Sequence, residues 1–224
     1  CIRDSYISND FSSPDFMYMN NGDGTFSESV KETTNQTSFY GMGVDIADFN
    51  NDSYLDYIQV DMDAKDNRRS KANMASMNPD LFWSTVNYGF HYQYMHNTLQ
   101  LNRRIEGDKP FFSNISRLSG ISSTDWSWGP LLADLDNDGW KDLFISNGIR
   151  REINHRDFFN EIKLRPMSND SLLYYTEQMP SEAIANFTFK NNTDLTFTDV
   201  SESWGLDQKN FSNGATSVSY THLR

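Results

Sequence analysis

The chain of 224 residues has one cysteine, at position 1, so no disulfide can form within it. A single thiol is compatible with either redox environment and does not fix the compartment. No run approaches the ~20 apolar residues that a membrane-spanning helix needs, and the opening Cys1-Ile2-Arg3-Asp4 does not resemble a signal peptide. Basic charge is scarce: 19 Lys and Arg against 31 Asp and Glu leave a formal net charge of −12. That field repels phosphate backbones and anionic lipid, which argues against nucleic acid as a partner. Apolar residues are lean at 37%, with a mean hydropathy of −0.68. Against this, 16 Phe, 11 Tyr and 5 Trp are too many for a disordered acidic chain and suggest a folded, aromatic-rich β protein.

The sequence repeats itself. Asp48-Phe-Asn50-Asn-Asp52-Ser53-Tyr54-Leu-Asp56 returns as Asp134-Leu-Asp136-Asn-Asp138-Gly139-Trp140-Lys-Asp142, 86 positions later. An upstream element repeats too: Asn20-Asn21-Gly22-Asp23-Gly24-Thr25-Phe26, a degraded copy ending at Phe112, and Asn191-Asn192-Thr193-Asp194-Leu195-Thr196-Phe197. From the last Phe of each copy to Gly43, Gly129 and Gly214 the distance is 17 residues every time. Asp4, Asp56 and Asp142 each stand five positions before Asn9, Asp61 and Asn147. The first residues therefore read as the inside of an earlier copy, and the repeated region as 1–218. In the last copy an Asp is due at 219, where Ser219-Tyr-Thr-His-Leu-Arg224 stands instead. This hexapeptide, 219–224, is expected to be a non-native tail.

Alternating oxygen side chains at positions 1, 3 and 5, a turn residue, a carbonyl at 7 and a carboxylate at 9 make a wrapping loop of hard ligands. Calcium accepts six to eight such oxygens at ~2.3–2.6 Å. The first loop offers Asp48, Asn50, Asp52, the Tyr54 carbonyl and Asp56; the second offers Asp134, Asp136, Asp138, the Trp140 carbonyl and Asp142. Zinc is disfavoured, since neither imidazole nor thiolate falls in these loops. An EF-hand would need Glu at position 12, where Gln59 and Ile145 stand. The flanks are short β-favouring runs (Leu55, Tyr57, Ile58, Val60; Leu143, Phe144, Ile145), so each loop is expected to join two strands of a hairpin. The first loop has one carboxylate fewer and carries Ser53 where positive φ is expected. It should bind more weakly.

At these residues the sequence resembles the FG-GAP or VCBS repeat proteins, whose calcium loops sit on the blades of β-propellers like those of integrin α chains. It is most similar to the bacterial envelope branch that ends in an ASPIC/UnbV domain, through Tyr18–Phe26, His91–Leu101, Thr124–Gly129 and Ser146–Arg151. The resemblance implies an all-β fold, a partial β-propeller that is an internal fragment of a longer protein. Equal spacings and frequent turn residues point independently to repeated sheets. Two insertions, about 62–97 and 148–185, interrupt them. Asn78 and Pro79 start a helix running to about Asn87; 156–163 and 171–178 also read as helical, ahead of a strand at Asn186–Lys190.

Other constellations are weaker. Trp126 and Trp128 share one face of a strand and suit packing between blades, or else stacking on sugar. His91, His96 and His155 fit no metal or triad spacing and read as core or surface residues. Arg150, Arg151 and Arg156 are expected to pair with Glu152, Asp157 or a neighbouring blade's carboxylates. The functional expectation is a calcium-stabilised, non-enzymatic segment of an extracellular or bacterial cell-envelope protein, acting in adhesion, ligand binding or assembly with a protein or glycan partner. The alternatives are a propeller-borne hydrolase and a carbohydrate-binding propeller using Trp83, Trp126 or Trp128.

Overall fold

The computed structural model describes residues 4–11, 13–74, 77–104, 110–165 and 169–218. The tail at 219–224 and most of the degraded turn at 103–110 lie outside them. Along the chain, β1 (Ser5–Ile7), β2 (Phe16–Asn20) and β3 (Phe26–Glu28) form a three-stranded antiparallel sheet. The single turn α1 (Val30–Thr33) and β4 (Thr37–Ser38) lead to β5 (Val44–Ala47) and β6 (Asp56–Gln59). The chain then leaves the sheet for β7 (Met62–Asp63), α2 (Asn67–Ala72), α3 (Pro79–Asn87) and β8 (Gln93–Tyr94), which pairs in parallel with β4. It returns as β9 (Thr98–Asn102) and β10 (Phe112–Asn114), completing an antiparallel meander of order β5-β6-β9-β10. A third sheet begins with β11 (Asp125–Ala133) and β12 (Asp142–Asn147). After α4 (Arg156–Ile162), α5 (Asn169–Gln178) and β13 (Ile184–Ala185), it is completed by β14 (Phe187–Asn191) and β15 (Phe197–Asp199). β7 joins the outer edge of β11, and β16 (Lys209–Asn210) pairs with β13. The protein is thus mostly β, built of several antiparallel sheets with few helices.

The sheets stack in sequence order, and side-chain alternation explains how. Tyr57 and Phe112 of the second sheet pack with Met17 and Val30 against the first. Ile58, Val60, Leu99 and Leu101 point the opposite way, into the largest apolar cluster with Leu132, Leu143, Ile145, Phe189 and Phe197 of the third sheet. β6, lying between two neighbours, is buried at all four positions. A period of two with both faces covered produces a strand that is apolar or hydrogen-bonded throughout.

Side-chain-to-backbone bonds recur with the repeat. The N–H groups of Asn9, Asp61 and Asn147, each closing a second strand, donate to Asp15 Oδ1 (2.7 Å), Asn97 Oδ1 (2.8 Å) and Asn186 Oδ1 (2.8 Å) just before the third strand. Six residues separate the first pair, 36 the second and 39 the third. One bond therefore closes a tight turn in one repeat and the necks of the two insertions in the others. The helix signals hold in the first insertion: Asn78 Oδ1 accepts the N–H groups of Asp80 and Leu81, with Pro79 opening α3. Neither α1 nor α2 is expected from the sequence; α2 is capped by Asp66, whose carboxylate accepts the Arg69 N–H.

α2 carries the main departure from the sequence reading. Glu152 does not pair with the basic cluster at 150–156. Buried Arg69 takes it, at 2.7 Å, while holding both oxygens of Asp125 at 2.6 and 2.9 Å and reaching Glu182 at 3.0 Å. Arg151 and Arg156 instead donate to the carbonyls of Met179 and Met74. Arg69 thereby ties the first insertion to the start of β11 and to both ends of the second. Arg69→Met should cost about 3–5 kcal/mol, because Asp125 and Glu152 would remain buried without their counter-charge; a denaturant midpoint close to wild type would contradict this role.

The three glycines that anchor the 17-residue spacing meet in space. A Cβ on Gly43 would lie 2.4 Å from the Trp128 carbonyl and 3.0 Å from Gly129 Cα, and one on Gly129 would lie 3.6 Å from Gly214 Cα. Successive inner strands approach backbone to backbone there, aided by the Leu132 N–H donating to Asp45 Oδ2 at 2.7 Å. Gly43→Ala should destabilise by about 1–3 kcal/mol, Gly129→Ala by less because its nearest neighbour is the movable Ser146 side chain at 3.4 Å, and Gly214→Ala little since nothing lies within 4 Å. Chemical denaturation of the three variants checks that order.

Candidate metal centre

Both acidic loops are hairpin connections, β5 to β6 and β11 to β12, as the flanking runs imply. Their first- and fifth-position aspartates accept the same backbone N–H groups. Asp48 accepts the N–H groups of Asp52 (3.1 Å) and Ser53 (2.9 Å); Asp134 accepts those of Asp138 (3.1 Å) and Gly139 (3.0 Å). Asp52 Oδ1 accepts the Tyr54 N–H at 2.9 Å, and Asp138 Oδ1 the Trp140 N–H at 3.0 Å. These bonds curl both loops back on themselves. The fold positions the turn by positive φ at Asn51 (57°) and Ser53 (72°), matched by Asn137 (62°) and Gly139 (92°). The loops also touch, through Asn51 Nδ2 and the Gly139 carbonyl at 3.2 Å.

In the second loop, one oxygen from each of Asp134, Asp136 and Asp138 lies within 4.8 Å of the others. Ligands at ~2.3–2.6 Å from a shared calcium ion can be no more than about 5 Å apart, so this spacing suits the ion without rearrangement. Each carboxylate oxygen has two lone pairs, and one backbone N–H leaves capacity for a cation. The first loop has Asn50 at the position of Asp136, and its Nδ2 donates to Asp52 Oδ2 at 3.0 Å.

Position 9 behaves differently. Asp56 and Asp142 are fully buried and latch the third strand: Asp56 Oδ1 accepts the Asn102 N–H at 2.8 Å, and Asp142 Oδ1 the Asn191 N–H at 3.0 Å. Asp4 does the same for Asn20 at 2.7 Å. Asp142 Oδ2 also accepts the Leu135 N–H at 3.0 Å. Asp56 Oδ2 is buried with no hydrogen-bond partner, although the Phe49 amide approaches the carboxylate. Burial pushes the Asp56 carboxyl up to about 7, with Asp52 and Asp48 adding to the rise; Asp142 is raised for the same leading reason. An orphaned buried carboxylate oxygen beside two further carboxylates is what a cation would satisfy. The donor chemistry therefore fits a hard divalent ion in both loops. When bound, it would supply positive charge and oxygen cross-links, while Asp48 to Asp56 and Asp134 to Asp142 would hold it.

The sequence reading omits Lys190, which precedes Asn191 on β14 and places Nζ against Asp136 Oδ2 and, at 2.9 Å, Asp138 Oδ2. That contact holds Asp138 below the usual carboxylate range and raises the lysine. The other constellations are structural. Trp126 and Trp128 pack in one apolar cluster with Met62 and Met74, leaving Trp83, 56% exposed, as the one open indole of the three. His91 is buried against Thr34, His96 against the Asn97 carbonyl, and His155 caps α4. Ser53→Gly should stabilise the metal-free chain by about 0.5–1 kcal/mol, the net of relieving a left-handed Ser and adding glycine entropy; a melting temperature that falls would contradict the strain.

Residues 2–58 match the model of the FG-GAP-like repeat. The span takes in the first sheet and the β5–β6 hairpin with its acidic loop; the second loop lies outside it and is tied to the first by the 86-residue repeat. No curated protein matches the chain. Within residues 2–58, the chain carries an FG-GAP-like repeat.

Proposed function

We propose that this chain is a calcium-binding, non-enzymatic part of a β-propeller, working outside the cytosol in adhesion, ligand binding or assembly with a protein or glycan partner. The observation that carries the reading is the convergence of Asp134, Asp136 and Asp138 on one point, in a hairpin whose bonding is duplicated 86 residues earlier. Three sheets stacked in chain order, with the second and third approaching at Gly43 and Gly129 and the segment at Gly214 continuing the series, support blades of a propeller. The FG-GAP-like match supports the same architecture. The buried acids outside the loops are used structurally: Asp61 accepts the N–H groups of Phe39, Tyr40 and Met62 and the Ser38 hydroxyl, Asp15 serves Tyr6 and Asn9, and Asp125 and Glu152 serve Arg69. This favours a structural over a hydrolytic role.

Extracellular calcium modules bind at ~10⁻⁴–10⁻³ M, which suits a calcium-rich exterior. No helix of the described residues is long and apolar enough to cross a membrane. At a tenfold excess of calcium over Kd each occupied loop adds about 1.4 kcal/mol, or roughly 3–6 °C in melting temperature for a domain this size. Thermal melts in calcium and in chelator should differ by at least that much, and Asp134→Asn should remove part of the difference. Coincident melts would reject the calcium reading.

A further inference from the structure

The two loops differ in what faces the fifth-position carboxylate. In both, Oδ1 of that carboxylate accepts a backbone N–H and Oδ2 faces a side-chain nitrogen. In the first loop that nitrogen is the Asn50 amide, which carries its own oxygen and can rotate to offer it. In the second it is the Lys190 ammonium, which has three donors and no acceptor. Lys190 reaches the loop from β14, and its counterpart in the preceding sheet is Leu101, the residue before Asn102, buried in the core. Among the described residues no cation reaches a carboxylate of the first loop; the Arg104 guanidinium lies over the Tyr54 ring instead, 4.4 Å from its centroid.

The geometry points to Lys190 as a tethered counter-cation that holds the second loop together without metal and is displaced when calcium enters. This inference rests on the calcium reading above. The loop has four carboxylates within one turn, and their mutual repulsion opposes the curl that brings Asp134, Asp136 and Asp138 together. An ammonium anchored one residue from the Asn191 latch offsets part of that repulsion at no cost in translational entropy. The same contact opposes metal binding, since an ion would draw on Asp136 and Asp138, the two carboxylates that the ammonium already contacts. The affinity advantage that four carboxylates and Gly139 give the second loop over the first is thereby reduced, and the empty loop stays folded at low calcium.

Terbium luminescence separates the loops, because Trp140 sits in the second and Tyr54 in the first; indole excitation reports terbium at the second loop, and added calcium chloride competes for it. In the full chain, Lys190→Met should lower the calcium dissociation constant of the second loop, obtained by correcting the half-displacement concentration for each variant's own terbium affinity, roughly three- to tenfold, as expected for loss of a partly exposed pair of charge contacts. It should also lower the melting temperature in chelator. Lys190→Gln should shift both readings the same way. An unchanged or weaker calcium affinity in both variants, with Asp134→Asn still abolishing the signal, would overturn the lysine's role and leave calcium binding intact. A wild-type signal that calcium does not displace and Asp134→Asn does not alter would overturn both.

Discussion

A carboxylate buried where a strand leaves a turn has to find compensation, and each repeat meets that requirement at the same place. Asp56 and Asp142 are fully buried, and both spend one oxygen on the N–H of an Asn that ends the third strand. Asp4 repeats the bond at a more exposed position. Burying such a group unpaired would neutralise it or unfold the turn. The bond therefore fixes the register between second and third strands, and the acidic loop, anchored at its ninth position, inherits that rigidity. The two insertions can vary because a second bond, into Asp15, Asn97 or Asn186, closes their necks whatever their length.

Much of this was legible from spacing alone. The 86-residue offset located both loops, the 17-residue ruler marked the three glycines that meet at the inner strands, and the five-residue step from Asp4, Asp56 and Asp142 marked second strands. Helix α3 followed from Asn78 and Pro79. What stayed hidden depends on contacts across long sequence separations. Nothing local to Arg69 shows that it collects Asp125, Glu152 and Glu182, and the neighbouring arginines at 150–156 were the nearer candidates for Glu152. Asn20 and Asn191 stood inside a repeated motif and Asn102 outside it, yet the latch from each to a carboxylate 16, 49 and 46 residues away needed coordinates. Lys190 escaped for a related reason: it is not part of the repeat, since Met19 and Leu101 occupy its place.

The repeated frame and its departures divide the labour. Shared features (the curled loop, the Asx latches, the glycine contacts) build stacked sheets. Unshared ones tune them: Ser53 against Gly139, Asn50 against Asp136, Leu101 against Lys190. The first loop has lower charge, a strained turn and an unpartnered Asp56 oxygen; the second has full charge and an ammonium that partly offsets it. The same curled loop is thus held by different balances of repulsion and hydrogen bonding.

The central claim is that oxygens at 48–56 and 134–142 enclose a doubly charged ion. A crystal structure grown in calcium, with anomalous diffraction to locate the metal, tests it most directly. One peak is expected inside each loop, ringed by the first-, third- and fifth-position side chains. Well-ordered loops with no peak in either, or with those oxygens turned outward to solvent, would contradict it.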